Sequence, residues 1–99
     1  MNIEQKRNAD ALTIAPEGYL DTTTAPELKA VLDTVLAGVK ELTFDFEKLE
    51  YISSSGLRIF LTVRKAAAAK GGKVIVKDIN DDIRQVFMMT GFLNLFEIQ

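Results

Sequence analysis

Three adjacent hydroxyls and a glycine, Ser53-Ser54-Ser55-Gly56, are the residues of this chain best placed to do chemistry. They stand where the hydrophobic period changes. Upstream, Leu42-Thr43-Phe44-Asp45-Phe46 alternates apolar and polar, as a half-buried strand does. Downstream, Leu57, Phe60, Leu61, Val63, Ala67 and Ala68 recur at helical spacing. The serines therefore fall at the mouth of a helix that leaves a strand. A serine there caps the helix by accepting a bond from a free backbone N–H. The same place favours a phosphate, because unpaired N–H groups and the helix dipole both attract negative charge. On these residues alone, one serine caps the helix with the others solvated, or one of them is a modification site.

Other chemistries fit poorly. A hydrolase nucleophile elbow needs glycine two residues before the serine as well as after it, and Tyr51-Ile52-Ser53 precede Ser54. It also needs a base, and the chain has no histidine. Lys65 and Lys70 lie on the helix that the serines begin and are expected to point outward. Gly71-Gly72-Lys73 is a fragment of a phosphate-binding loop, but Ala67 stands where glycine is required and Val74 where Ser or Thr would hold the metal. The absence of cysteine removes disulfides, thiol catalysis and thiolate metal sites. The expectation is a binding protein and not an enzyme, with no metal and no cofactor. A net charge of −2 with no basic block argues against nucleic acid.

The elements that position the serines are well signalled. Ninety-nine residues, 47% of them apolar, are expected to form a single domain over residues 1–99. There is no apolar run of the ~18 residues that span a bilayer and no apolar leader after Met1, so a cytoplasmic protein without membrane contact is expected. Residues 3–8 and 11–15 read as strands. Pro16-Glu17-Gly18 reads as a turn, with a brief extended piece at Tyr19-Leu20. Thr24 and Glu27 match a capping box, Pro26 sits in the first turn, and Leu28, Val31, Leu32, Val35 and Leu36 form the stripe of a first helix ended by Gly38. A strand at 41–46 and a helix at about 54–69 follow. Lys73–Lys77 is a strand, and Asn80 caps a third helix whose first turn carries Asp81 and Asp82. Ile83, Val86 and Phe87 are its inward face, Met88-Met89 reads as gap-filling core, and Gly91 ends it. The apolar tail Phe92, Leu93, Leu95, Phe96 and Ile98 must pack back or lie exposed. The fold class is α/β: a small mixed sheet of four to five strands with helices mainly on one face.

The segment Leu49-Glu50-Tyr51-Ile52-Ser53-Ser54-Ser55-Gly56-Leu57-Arg58 resembles the signature of the anti-sigma factor antagonists, the STAS domain family. Gly18-Tyr19-Leu20-Asp21 with Thr24-Ala25-Pro26-Glu27-Leu28, then Gly71-Gly72-Lys73-Val74, Thr90-Gly91-Phe92 and Leu95-Phe96-Glu97-Ile98 resemble further blocks of that family, in its order. The resemblance implies a bacterial stand-alone regulator. Its partner would be an anti-sigma factor that is also a serine kinase, and a serine phosphatase would reset it. Aligned without gaps, the phosphoacceptor is Ser54. Well-known members carry aspartate immediately before the acceptor, where this chain has Ser53, which leaves Ser53 and Ser55 open as acceptors. In the family the loop at Asp21 lies beside the acceptor. Asp21 would then receive a partner cation or orient the hydroxyl; alternatively it only bonds the N–H groups of its own loop. The partner-binding surface is expected at Asp21, Ser53, Ser55, Gly56 and Arg58, although a solvated surface arginine also explains Arg58.

Phosphorylation adds about −1.5 to −2 charge, which a helix start tolerates while a partner packed over it does not. The expected switch is steric and electrostatic blocking without refolding. An adaptor of the same fold that binds constitutively, with no phosphorylation, is the alternative.

Overall fold

The structure is a computed structural model that describes residues 1–35 and 38–99, and at Val35 the backbone alone. Among the described residues the order is β1 (Asn2–Asn8), β2 (Ala11–Leu20), α1 (Ala25–Val35), β3 (Glu41–Asp45), β4 (Leu49–Ile52), α2 (Ser54–Ala69), β5 (Lys73–Lys77), α3 (Asp81–Thr90) and β6 (Glu97–Ile98). A 3-10 turn over Phe92–Asn94 links α3 to β6. The sheet runs β1-β2-β3-β5-β6, and β4 pairs with β2. β1 is antiparallel to β2; the other pairings are parallel.

Alternation along the strands sets where the helices go. Leu12, Leu42 and Val74 form one row across β2, β3 and β5, and Ile14, Phe44 and Val76 form the next. Both rows are buried. Leu28 and Leu32 of α1, Leu57, Phe60 and Val63 of α2, and Ile83 and Phe87 of α3 join the same core. The helices therefore cover that face, while Thr13, Ala15, Thr43, Asp45 and Lys77 stay half-exposed on the other. Phe60 meets Phe44 edge-on at 4.6 Å and Phe46 at 5.3 Å, which anchors α2 to the sheet. Of the two fates open to the tail, it packs back: Phe92 and Phe96 both stand 5.9 Å from Phe87, and β6 pairs with β5.

The mixed sheet with helices on one face is the expected class, but it has six strands among the described residues, more than expected. The strands not expected are β4 and β6; in β4, Leu49 and Ile52 are buried while Glu50 and Tyr51 are exposed, so it carries no clean alternation. Pro16-Glu17-Gly18 does not form a turn. All three residues lie inside β2, and the hairpin closes instead at Ala9-Asp10, with Asn8 opposite Ala11. Gly18, at φ +89°, marks the register shift where β2 takes up β4, and its N–H donates to Lys48 O. The Thr24–Glu27 capping box does not form either. The Thr24 hydroxyl accepts the Asp21 N–H and donates to Tyr19 O, while the Glu27 carboxylate pairs with the N-terminal ammonium at 2.9 Å. Met88 and Met89 are exposed, not core, because the inward stripe of α3 passes through Ile83 and Phe87. The expected stripe positions Val35 (its side chain) and Leu36 lie outside the described residues.

Candidate functional site

The site is assembled where β2 and β4 end side by side. Leu20 and Ile52 are register partners, and the Ser53 N–H donates to Leu20 O at 2.8 Å. This bond sets the start of α2 against the loop that follows β2. Ser53 is the N-cap, with φ −95° and ψ 174°, and its Oγ accepts the Gly56 N–H at 3.4 Å. That is long for such a bond. Ser54 is the first helical residue and is exposed; its hydroxyl has no partner among the described residues. The Ser55 Oγ lies 3.4 Å from Thr22 Oγ1, so the loop and the helix mouth touch through two hydroxyls. Cap and candidate acceptor are thus different serines.

One carboxylate oxygen of Asp21 accepts within its own loop. Its Oδ1 receives the Thr23 N–H at 2.9 Å, the Thr24 N–H at 3.1 Å and the Thr24 hydroxyl at 3.2 Å. The Thr24 N–H is the main cause that holds its carboxyl below the ordinary value of 3.8; partial removal from water opposes this, and the Thr23 N–H adds to it. Asp21 is therefore ionised at neutral pH and half-buried beside the serines.

Gly56 is buried beneath the helix mouth. A Cβ there would stand 2.8 Å from Leu20 Cγ and Cδ2 and 3.0 Å from Ile52 Cγ1. Glycine is what lets α2 sit directly on the ends of β2 and β4.

Arg58 is exposed and lines a cleft of about 370 Å³ between α1 and α2. Leu32, Ile59 and Val63 contribute its apolar lining, with Lys29 and Asp33 on the α1 side. Lys29 and Asp33 pair with each other at 2.9 Å. Arg58 has no ion-pair partner among the described residues.

Two residues that sequence reasoning did not single out flank the site. Tyr19 and Tyr51 are register partners on β2 and β4, are 57% and 48% exposed, and hold their rings 5.9 Å apart. The signal was the position of each beside a buried residue, Leu20 and Ile52, at a strand end. Elsewhere, carboxylate oxygens of Asp45, Glu47 and Asp78 lie within 4.8 Å of one another, with Lys77 Nζ at 3.8 Å from Asp45.

With this geometry in place, comparison with known proteins is informative. The STAS domain family matches residues 2–99, and the chain belongs to that family. BtrV of Bordetella bronchiseptica is 32% identical over 83 residues, which is 83% of this chain and 72% of that protein. The anti-sigma-B factor antagonist of Listeria monocytogenes is 29% identical over 105 residues, covering 100% of this chain and 90% of that protein. Among solved structures, the anti-sigma factor antagonist SpoIIAA in its unphosphorylated form superimposes with a TM-score of 0.79 at 20% identity, over 99% of this chain and 87% of that one. The phosphorylated form of the same Bacillus protein gives 0.78 at 21% identity, over 99% and 91%. The likeness within the family is thus to the anti-sigma factor antagonists.

Proposed function

We propose that this chain is an anti-sigma factor antagonist worked by a phosphorylation switch. With Ser54 unmodified it binds an anti-sigma factor that is also a serine kinase; with Ser54 phosphorylated it releases that partner. A serine phosphatase resets the cycle. The contact surface is the helix mouth and its neighbouring loop: Ser53, Ser54, Ser55 and Arg58 of the α2 segment, Asp21 after β2, and Gly56, which keeps the mouth flush with the strand ends. The protein acts by binding and carries out no catalysis of its own.

One observation carries this reading. Ser54 presents a hydroxyl with no partner among the described residues at the first position of α2, while Ser53 separately supplies the cap. Modification of Ser54 therefore leaves the cap bond in place. The added dianion meets the free N–H groups of the first turn, an interaction worth ~0.3–1 kcal/mol at an exposed position, so the fold persists. A partner seated over the same hydroxyl must desolvate or repel the phosphate, at a cost of several kcal/mol. Each ~1.4 kcal/mol is tenfold in affinity, so release needs no rearrangement.

Mass spectrometry after incubation with ATP and the cognate kinase tests the acceptor directly. Phosphate is expected on Ser54 and is expected to vanish in Ser54→Ala. Phosphate on Ser53 or Ser55 instead would move the acceptor, and a partner that binds Ser54→Ala and Ser54→Asp equally would make the chain a constitutive adaptor.

A further inference from the structure

Ser54 is not only the first residue of α2. Ser54, Arg58, Thr62 and Ala66 are four apart in sequence and so form one ridge along the helix. Arg58, Thr62 and Ala66 line the cleft between α1 and α2. Whatever lies in that cleft runs along a ridge headed by the switch serine.

The charges around the cleft are unequal. On the α1 side Lys29 and Asp33 neutralise each other. Asp21, the carboxylate of the neighbouring loop, is already held by the N–H groups of Thr23 and Thr24. The Thr62 hydroxyl donates to Arg58 O within the helix, which leaves it only lone pairs to offer a visitor. Arg58 is left as a guanidinium without a counter-ion among the described residues, one turn into α2 from Ser54. An apolar cleft with one uncompensated cation at its Ser54 end is complementary to an apolar segment that carries a carboxylate.

Resting on the proposed switch, we infer that Arg58 is its transducer. In the unmodified protein Arg58 receives a carboxylate from an apolar, acidic segment of the partner laid in the α1–α2 cleft. In the phosphorylated protein the Ser54 phosphate, one turn away on the same ridge, captures Arg58 in an intrahelical pair. The phosphate then acts twice: it obstructs the helix mouth, and it withdraws the cation that the partner needs.

The test uses the full chain with phosphoserine installed at position 54 by genetic encoding, so that no kinase is required, and a parallel Arg58→Gln variant. The second ionisation of the phosphoserine is followed by phosphorus NMR. Capture by Arg58 favours the dianion, so Arg58→Gln is expected to raise that pKa by about half a unit. In the unphosphorylated chain, Arg58→Gln is expected to weaken the anti-sigma factor partner about tenfold with the unfolding midpoint unchanged. An unmoved phosphoserine pKa overturns the inference, and so does wild-type partner affinity in Arg58→Gln. Saturable binding of dodecanoate in the cleft together with wild-type partner affinity in Arg58→Gln would likewise overturn it, by assigning the cleft to a small amphiphile. None of these results touches the switch itself, which stands or falls on whether the partner distinguishes Ser54→Ala from Ser54→Asp.

Discussion

Two helices of this molecule begin in the same way and are finished differently. Both α2 and α3 leave a residue in extended conformation whose side chain caps the first turn, Ser53 in one and Asn80 in the other. At α3 the cap is closed. Asn80 Oδ1 accepts the Ile83 N–H at 2.8 Å, its amide donates to Leu49 O at 2.9 Å, and Asp81 and Asp82 supply the charge that the dipole favours. At α2 the cap bond is 3.4 Å long, the first turn contains no acid, and the first charged residue of the helix, one turn further in, is Arg58. One mouth is saturated with negative charge and tied to the sheet; the other is left for an anion to arrive. A chain that optimised both mouths for stability would leave no room for the switch proposed at α2.

Substitutions should break this contrast in a graded way. The largest effect is expected beneath the open mouth. Gly56→Val drives carbon into Leu20 and Ile52 and should cost ~1–3 kcal/mol of unfolding free energy by urea denaturation, with the mouth displaced from the strand ends. Next comes Asn80→Ala, which removes a tight cap and its bond to Leu49 O. A loss of ~1–2 kcal/mol is expected in the same measurement. Ser53→Ala, at the long cap, should cost less, ~0.5–1 kcal/mol. Equal losses at the two caps would erase the distinction between the helices.

The smallest effect concerns acid. The carboxyl of Asp21 is held below its ordinary value by its loop N–H bonds. Its contribution to stability is therefore fully present above the ordinary carboxylate pKa of 3.8 and is lost as pH falls through the lower folded value. Asp21→Asn should flatten the acid limb of stability below about pH 4 and leave the neutral region parallel to wild type. An unchanged acid limb would mean that the loop bonds do not favour the ionised form.

The open mouth was more legible in the sequence than the closed sheet around it. Serines between a strand period and a helix period are a local pattern, and the cap, the exposed Ser54 and the Asn80 cap of α3 all follow from local rules. The errors are tertiary. Gly18 reads as a turn because its positive φ is equally suited to the register shift where β2 changes partner. β4 is invisible to alternation because only its end residues, Leu49 and Ile52, reach the core. Thr24 and Glu27 have the spacing of a capping box, yet Asp21, Tyr19 and the N-terminus compete successfully for their polar atoms. Asp21 itself was open to two readings. Its loop bonds are those of an Asx turn, and that turn is what fixes an ionised carboxylate beside the serines. The cleft that joins Arg58 to Leu32 needs the relative placement of two helices, which no local pattern specifies.

The most direct test of the proposed switch measures the affinity of the proposed anti-sigma factor kinase partner for the chain with and without phosphoserine at position 54, alongside the thermal midpoint of each form. An affinity loss of about 100-fold or more, with the midpoint unchanged, is expected. Equal affinity for the two forms, or a phosphorylated chain that has unfolded, would contradict it.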